Sequence, residues 1–370
     1  MTPDEPTAST PHEGATPPRS TPAPSGSTVP ADGSTATPVA PLVDRFGRPH
    51  HDLRISLTDR CSLRCTYCMP AEGVPWLARQ TMLSTDEIVR VARVGVDLGI
   101  TEIRLTGGEP LLRVDVVDVV RRLTALTGPH GSPEVSLTTN ALRLPALAAP
   151  LRDAGLSRVN ISLDTLDRGR FMELTRRDKL VDTLAGIAAA DAAGLHPVKI
   201  NAVAMRGVND DEVVALTRFA VDRGYQMRFI EQMPLDGGHT WDRTQMVTQA
   251  EILDRLTSAF TLTEVPGRGA APAELWTVDG GPETVGVIAS VTAPFCSACD
   301  RLRLTADGQL RACLFAQDEV DVRAVVRDAE VGDEAVAEAF RRCLAGKKAG
   351  HGIGEPTFRQ PDRPMSAIGG

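Results

Sequence analysis

The chain has 370 residues, 42% hydrophobic and 24% charged, which is enough to bury a sizeable core without disulfide staples. Its formal net charge of −8 offers no general attraction for nucleic acid or an anionic membrane, so we expect neither as a partner. No run of about 18 apolar residues occurs, which argues against a transmembrane helix. Seven cysteines, most of them in two tight groups, favour cluster or metal ligation in a reducing, cytoplasmic compartment over a disulfide framework.

The N-terminal segment, residues 1–40, consists almost entirely of Pro, Thr, Ser, Ala and Gly and has no apolar periodicity. Such a segment cannot bury enough apolar surface to offset the entropy lost on ordering. We therefore interpret it as a disordered extension and expect ordered structure from near Leu42.

Short apolar strands then alternate with amphipathic helices over residues 41–240. The predicted strands are 54–57, 102–106, 134–138, 159–163, 198–203 and 226–231. Ser84 with Glu87, and Asn209 with Glu212, have the spacing of capping boxes at helix starts.

These six strand–helix repeats predict a parallel sheet with right-handed crossovers. We interpret them as an α/β fold, a partial (βα)6 TIM-type barrel, with a flat doubly wound sheet as the alternative. In either case function is expected at the carboxyl ends of the strands. Every motif described below is predicted to lie there or in the loop that follows.

The pattern changes after about residue 241. Thr248 with Glu251 predicts one more capped helix, followed by strands near 275–278, 284–290, 302–305 and 309–313 and a last helix over 333–344. We interpret residues 241–345 as a smaller C-terminal mixed α+β extension. The tail, residues 346–370, is rich in Gly and Pro, is predicted to lack regular structure, and ends in Gly369-Gly370.

The first cysteine motif, Cys61, Cys65 and Cys68, follows the first strand as C-x3-C-x2-C. Three thiolates on one loop can bind three irons of a 4Fe–4S cubane and leave the fourth iron open to a small chelating ligand. A zinc site or a buried trio of reduced cysteines is the alternative. Zinc needs a fourth ligand, and the nearby histidines, His50 and His51, lie upstream. The spacing therefore favours the cluster.

The second motif is Cys296-x2-Cys299, followed by Cys313 on the return strand of a hairpin predicted to turn at Asp307-Gly308. Again three thiolates converge and one iron stays open, which makes the extension an auxiliary-cluster extension. The alternative is a zinc ribbon that lacks one ligand. Cys343 could complete it, but its amphipathic helical context favours a core or surface thiol.

The first motif, with Tyr67 before its last cysteine and a Gly-Gly-Glu-Pro segment at 107–110, resembles the radical S-adenosylmethionine superfamily. The resemblance implies that the open iron binds the methionyl amine and carboxylate of S-adenosylmethionine. Reductive cleavage would then give methionine and a 5′-deoxyadenosyl radical. The S-adenosylmethionine contacts that it implies are Tyr67, Gly108, Ser162 and Met233.

The two motifs together, with segments 52–61, 138–140, 228–231 and 295–304, resemble the GTP 3′,8-cyclase family, which starts molybdenum cofactor biosynthesis. The resemblance implies a lyase with two 4Fe–4S clusters, in which the second open iron binds the guanine of GTP. The radical would remove the C3′ hydrogen, and C3′ would bond to C8 to give 3′,8-cyclo-GTP. It also implies a downstream cyclic pyranopterin monophosphate synthase and a reductant protein of flavodoxin or ferredoxin type as partners. A homodimer is a family-level expectation.

Basic residues on the predicted strands agree with an anionic substrate, since arginine binds phosphate oxygens bidentately. The GTP contacts implied by the resemblance are Arg54, Arg104, Thr138, Lys199, Arg301 and Arg303, with Arg228 as a further candidate. The resemblance also implies that Gly369 and Gly370 reach into the active site. Two other readings stay open: a radical enzyme that modifies a peptide and carries an auxiliary cluster, and a non-catalytic zinc-binding scaffold.

Overall fold

The computed structural model describes residues 41–369. The extension predicted for residues 1–40 lies outside the described residues, and so does Gly370.

One sheet organises this part of the chain, in the strand order β12-β11-β10-β1-β2-β3-β4-β5-β6-β9-β8-β7. The strands are β1 (Asp52–Ser56), β2 (Glu102–Thr106), β3 (Glu134–Thr139), β4 (Arg158–Ser162), β5 (Lys199–Ala204), β6 (Gln226–Glu231), β7 (Leu262–Val265), β8 (Glu274–Val278), β9 (Thr284–Ile288), β10 (Arg301–Leu304), β11 (Gln309–Arg311) and β12 (Val320–Asp321).

The first six strands lie side by side in chain order and are all parallel. This confirms the predicted α/β class and the partial barrel. Side chains alternate across each strand, as the pleat requires. Leu53 and Ile55 on β1 are fully buried in the core beneath the helices, whereas Arg54 between them lines an internal cavity. The sheet therefore has one apolar face toward the helices and one polar face toward the barrel interior.

Helices cover the apolar face, and no helix in residues 41–369 is long and apolar enough to cross a membrane. The helices are α1 (Thr85–Asp97), α2 (Val116–Thr124), α3 (Leu144–Asp153), α4 (Arg168–Thr175), α5 (Leu180–Ala192), α6 (Val213–Val221), α7 (Gln249–Thr257), α8 (Arg323–Arg327), α9 (Asp333–Ala345) and α10 (Met365–Ile368).

The capping boxes predicted at Ser84 and at Thr248 are both present. The box predicted at Asn209 is wrong, because α6 begins only at Val213 and Asn209 makes no cap hydrogen bond. Its side chain instead accepts from the Met205 N–H and donates to the carbonyl oxygens of Asp164 and Val203. Asn209 thus ties together the chain segments that leave β4 and β5.

The C-terminal extension continues the barrel sheet instead of forming a sheet of its own. Strand β10 pairs with β1, and β9 pairs with β6, both in parallel orientation. The extension therefore lengthens the barrel at both edges. Strands β7 and β12 and the short helix α10 were not predicted, and α10 corrects the expectation of an irregular tail.

Replacing Ser84 by alanine should lower the free energy of unfolding by about 1 kcal/mol, because one helix donor at the start of α1 loses its acceptor. Urea unfolding followed by circular dichroism under anaerobic conditions measures the change. Ser132→Ala, in an exposed loop, is the control and should leave the midpoint unchanged. Equal midpoints for the two variants would contradict the capping role.

Candidate active site

The first thiol site, Cys61, Cys65 and Cys68, lies in the loop after β1, at the carboxyl ends of the barrel strands. The three thiols border a cavity of about 200 Å³, and their charges would interact with one another. Burial raises the pKa of Cys61 to about 11 and that of Cys68 to about 12. The predicted residues Tyr67, Gly108 and Ser162 line the same cavity.

The glycines after β2 are required by the cysteine loop itself. The Gly108 N–H donates to the Thr58 carbonyl at 2.7 Å, and the Glu109 N–H donates to the Arg60 carbonyl at 2.7 Å. A Cβ on Gly108 would overlap the backbone oxygens of Asp59 and Arg60. The segment can therefore make these hydrogen bonds to the loop before Cys61 only because Gly108 has no side chain.

The Glu109 carboxylate makes its hydrogen bonds within the protein. It accepts from the backbone N–H groups of Leu111 and Asn140 and from the Thr139 hydroxyl. Burial raises its pKa despite these hydrogen bonds. Glu109 thus fixes the ends of β2 and β3 around the cavity.

A tyrosine–aspartate pair stands beside the first thiol site. The Tyr67 hydroxyl donates to Asp164 at 2.8 Å, and the other Asp164 oxygen accepts from the Val203 N–H at 2.8 Å. Burial raises the pKa of Asp164 to about 6, and burial together with Asp164 raises the pKa of Tyr67. The pair holds the Tyr67 ring at the border between two cavities.

The second cavity, of about 220 Å³, adjoins the first within the barrel. The residues that line both are Tyr67, Thr138, Asn201, Val203, Ile230 and Met365. Met233 lines the second cavity only, where it shares the lining with Tyr67 but not with Gly108 or Ser162. The two cavities therefore adjoin, with the shared side chains at their boundary.

A row of guanidinium groups crosses the wall of the second cavity. Arg303 on β10 is in register with Arg54 on β1, and Arg54 is in register with Arg104 on β2. All three side chains line the cavity, as do Arg301, Arg228 and Thr138. All of the predicted GTP contacts except Lys199 therefore line this cavity.

The positive charge of this row is largely uncompensated. Asp52 lies 3.6 Å from Arg54, and residues 41–369 offer no ion pair to Arg104 or Arg303. Burial would raise the pKa of Asp52, but the surrounding arginines lower it. Burial lowers the pKa of Arg54 well below its usual range and that of Arg303 to about 10. An anion in the cavity would relieve this unfavourable burial of charge.

Lys199 starts β5 and does not line the cavity, but it lies close to Arg228, Arg158 and Arg104. Burial and these three positive charges lower its pKa to about 7. A negative ligand in the cavity would act on Lys199 through its electric field.

The second thiol site, Cys296, Cys299 and Cys313, borders the far side of the second cavity. Because β10 is parallel to β1, a residue just before β10 lies at the amino ends of the strands. The expectation that every motif lies at the carboxyl ends is therefore wrong for this site. The predicted hairpin at Gly308 is confirmed, and it returns Cys313 to the same end.

Burial raises the pKa of Cys296, and negative charge on the neighbouring thiols Cys313 and Cys299 raises it further. Burial would also raise the pKa of Cys299, but nearby Arg301 and Lys347 lower it. Cys343 lies on α9 and is buried in the main hydrophobic core, which agrees with the amphipathic pattern of that helix.

Neither trio of thiols has the geometry of a single-ion site. Residues 41–369 contain no group of three His, Cys, Asp or Glu side chains close enough to share one metal ion. In a cubane each thiolate binds a different iron, so the thiolates stand further apart than the ligands of one ion. Three thiols around an open cavity are compatible with such a cluster at each site.

The C-terminal tail reaches the interior at the carboxyl ends of β1 and β2. The Gly369 carbonyl accepts a hydrogen bond from Arg303, and a Cβ on Gly369, whose φ is +87°, would overlap the Thr106 hydroxyl. Further back, Ser366 lines the cavity of the first thiol site together with Cys68. The tail thus contacts both the first thiol site and the arginine row.

Two asparagines that the sequence interpretation passed over also line the interior. Asn160 and Asn201 each have a buried side-chain oxygen without a hydrogen-bond partner among the described residues. Asn160 alternates with Ser162 on β4, and Asn201 alternates with Lys199 on β5. Each asparagine therefore lies on the same face of its strand as a predicted site residue, and this alternation could have identified both from the sequence.

Two family models match the chain. The Radical SAM superfamily model covers residues 55–220, and the Molybdenum Cofactor Synthesis C model covers residues 225–353.

Named relatives match over nearly the whole chain. The GTP 3′,8-cyclase of Streptomyces coelicolor is 58% identical over 332 residues, which cover 89% of this chain and 96% of the relative. The GTP 3′,8-cyclase 2 of Mycobacterium tuberculosis is 52% identical over 346 residues, which cover 92% and 95%.

Solved structures agree on the fold. SuiB from Streptococcus suis superposes with a TM-score of 0.57 at 14% identity, covering 81% of this chain and 68% of SuiB. SuiB bound to S-adenosylmethionine gives a TM-score of 0.55 at 14% identity, covering 83% and 67%. At this identity the likeness establishes a shared fold alone.

The parallel barrel, the C-x3-C-x2-C loop and the matching model define a radical S-adenosylmethionine enzyme, a class that uses a 4Fe–4S cluster and S-adenosylmethionine. The extent of identity to the named relatives is more specific. The chain belongs to the GTP 3′,8-cyclase family.

Replacing Gly108 by alanine should displace the backbone at Arg60 and with it Cys61, so that the first cluster is lost. We expect iron binding to fall and S-adenosylmethionine cleavage to drop at least about tenfold, as for other changes in the support of a metal site. Iron analysis and 5′-deoxyadenosine assays measure both. Gly354→Ala, where a Cβ would meet nothing within 4 Å, is the control. Full iron and cleavage in the Gly108 variant would refute this role.

Proposed function

We propose that this chain acts as a GTP 3′,8-cyclase in molybdenum cofactor biosynthesis. The observation that carries the proposal is the pair of adjoining cavities between two thiol sites, with a row of guanidinium groups along the wall of the second. Such a row suits a triphosphate, because arginine donates paired hydrogen bonds to phosphate oxygens. The relatives at 52–58% identity support the same assignment.

At the first site the protein itself would hold the cluster and would orient and shield S-adenosylmethionine. In this proposal the first cluster is held by Cys61, Cys65 and Cys68. S-adenosylmethionine contacts Tyr67, Gly108, Ser162 and Met233. When bound, the cluster and S-adenosylmethionine would supply methionine and a 5′-deoxyadenosyl radical that takes the C3′ hydrogen of GTP. The C3′ radical would then add to C8 and open the C8=N7 double bond, and one electron from the reductant protein together with one proton would quench the radical left on the base.

The second thiol site is proposed to hold a second 4Fe–4S cluster whose open iron binds guanine. Its thiols border the same cavity as the arginine row, which supports a substrate lying between the two sites. The proposed GTP contacts are Arg54, Arg104, Thr138, Lys199, Arg301, Arg303 and, in addition, Arg228. Lys199 would act through charge, because it does not line the cavity but lies close to Arg228, Arg158 and Arg104.

The tail completes the proposed substrate site. The contact between Arg303 and Gly369 supports a role of the terminal glycines in orienting that arginine. Gly370, although outside the described residues, belongs to the same proposal.

Asn201, which lines both cavities, and Asn160, which lines the second, each have a side-chain oxygen without a partner among the described residues. An unpartnered buried acceptor is costly, so a ligand hydroxyl there would be favourable. We include both asparagines as acceptors for ribose hydroxyl groups.

Organisation and partners follow the same proposal. Residues 41–240 would form the S-adenosylmethionine-binding barrel, and residues 241–345 the auxiliary-cluster part. The product would pass to a cyclic pyranopterin monophosphate synthase, and a flavodoxin- or ferredoxin-type protein would supply electrons. A cytoplasmic location suits two groups of reduced thiols, and a homodimer remains part of the proposal.

A peptide-modifying radical enzyme is the second candidate. One structure of SuiB is described as bound to its precursor peptide SuiA, and it superposes with a TM-score of 0.55. The 14% identity extends that likeness to the fold alone. The arginine row favours the nucleotide.

The two thiol sites should fail differently when one cysteine of each is replaced. Cys68→Ala should abolish S-adenosylmethionine cleavage, because the first cluster is lost. Cys299→Ala should retain the first cluster and slow cleavage but lose conversion of GTP. Both are tested after anaerobic reconstitution with iron and sulfide, by mass spectrometry of 5′-deoxyadenosine and GTP products with a strong reductant present.

Cys343→Ala, a core thiol outside both sites, is the matched control and should retain both activities if the chain folds. Persistent cleavage by the Cys68 variant would argue against the first assignment. Normal GTP conversion by the Cys299 variant would exclude the second thiol site as the substrate site. Cleavage by the parent protein without any GTP product would point to another substrate.

GTP binding at pH 8 should take up a proton at Lys199. With a pKa of about 7 the free amine is mostly neutral at pH 8, and a triphosphate nearby raises that pKa, so binding recruits up to roughly one proton. Below pH 7 the amine is already charged and the uptake should disappear. Calorimetry in buffers of different ionisation enthalpy measures the proton count.

Lys199→Arg is the control, because an arginine stays protonated at either pH. Its binding should show no proton uptake from this position at pH 8. Equal uptake by the parent and by the arginine variant would contradict the assignment to Lys199.

A further inference from the structure

Lys347 lies buried between the two chain segments that carry the second thiol site. Its side-chain amine donates to the Cys299 sulfur at 3.5 Å, to the Arg301 carbonyl at 2.7 Å and to the Ala312 carbonyl at 2.9 Å. Lys347 is 3% exposed. An ammonium group has three N–H donors, and these contacts use all of them.

The three acceptors link the cysteine ligands to one another. Arg301 is two residues after Cys299, and Ala312 directly precedes Cys313. One amine therefore connects the loop before β10 to the strand that returns from the hairpin. A cluster bound by Cys299 and Cys313 would have to bridge the same two segments.

Arg48 holds residues 348–349, which follow Lys347, close to the second thiol site. Arg48 donates to the Cys296 carbonyl at 2.5 Å and to the carbonyls of Lys348 and Ala349 at 2.8 and 3.0 Å. Residues 347–349 are thus tied both to the Cys296 backbone and, through Lys347, to the Cys299 sulfur.

The charge of Lys347 needs a negative partner. Residues 41–369 place no carboxylate within ion-pair distance of its amine, and a buried charge without a partner is strongly unfavourable. A thiolate at Cys299, as a ligand of a cluster, supplies the negative charge in direct contact.

We propose that Lys347 is a positioning residue for the second cluster. It sets the separation of the Cys299 and Cys313 segments, and its charge and N–H···S hydrogen bond favour the reduced cluster over the oxidised one. The reduced cluster carries one more negative charge, so a neighbouring cation raises the reduction potential. This inference rests on the proposed function, because it requires that second cluster.

The test replaces Lys347 by methionine, which keeps the length of the side chain and removes its charge and donors. The background is the full chain with Cys61, Cys65 and Cys68 replaced by alanine, so that a signal from a reconstituted cluster belongs to the second site. We expect a midpoint potential more negative than that of the background protein. We also expect about 10–100-fold faster loss of iron to a chelator.

Lys348→Met is the matched control, since Lys348 is adjacent and exposed. It should leave the potential and the iron-release rate unchanged. An unchanged potential and iron-release rate in the Lys347→Met variant would overturn the inference. A background protein that binds no 4Fe–4S cluster would instead overturn the proposed second cluster, so the two failures are distinguishable.

If the Lys347→Met variant binds no cluster, Lys347→Arg and Lys347→Gln decide the outcome. Cluster binding restored by arginine but not by glutamine supports a requirement for the cation at this position. Loss of the cluster in all three variants, with Lys348→Met normal, would overturn the inference in favour of a packing requirement for lysine.

Discussion

Positive charge inside the barrel, which the carboxylates of residues 41–369 compensate only in part, is the constraint on which the rest of the site depends. Three neighbouring strands present Arg303, Arg54 and Arg104 at one level, and Asp52 lies beside Arg54. Such an arrangement is unfavourable without an anion. In the proposed function the triphosphate of GTP supplies that anion.

Topology places chemistry at both ends of this charged row. The first thiol site follows β1 at the carboxyl ends of the strands, as is usual in α/β barrels. The second precedes β10, which joins the sheet parallel to β1 and therefore starts at the amino end. A substrate held by the arginines can thus contact one site while it faces the other. Gly369 reaches the same row from the tail.

Sequence patterns predicted the local elements well because strand periodicity and capping chemistry are local. The bounds of β2 and β6 agree with the prediction, and the boxes at Ser84 and Thr248 are present. Asn209 has the right spacing for a cap, but its side chain hydrogen-bonds instead to the backbone of Met205, Val203 and Asp164.

Long-range placement could not be predicted in the same way. A hairpin at Gly308 indicates two strands but not which edge of the sheet they join, so the amino-end position of Cys299 was missed. The contacts of Lys347 cross 35 to 48 residues of chain, and no local pattern records them. The cavity residues came mainly from family resemblance, and Asn160 and Asn201 needed the assembled interior to become visible.

In the proposed function the ribose of GTP lies between the first thiol site and the arginine row. The direct measurement is transfer of deuterium from [3′-²H]GTP in the anaerobically reconstituted protein with S-adenosylmethionine and a strong reductant. We expect 5′-deoxyadenosine that carries one deuterium, together with a cyclised nucleotide that has lost it. Unlabelled 5′-deoxyadenosine formed at the same rate with and without GTP would contradict this placement of the ribose.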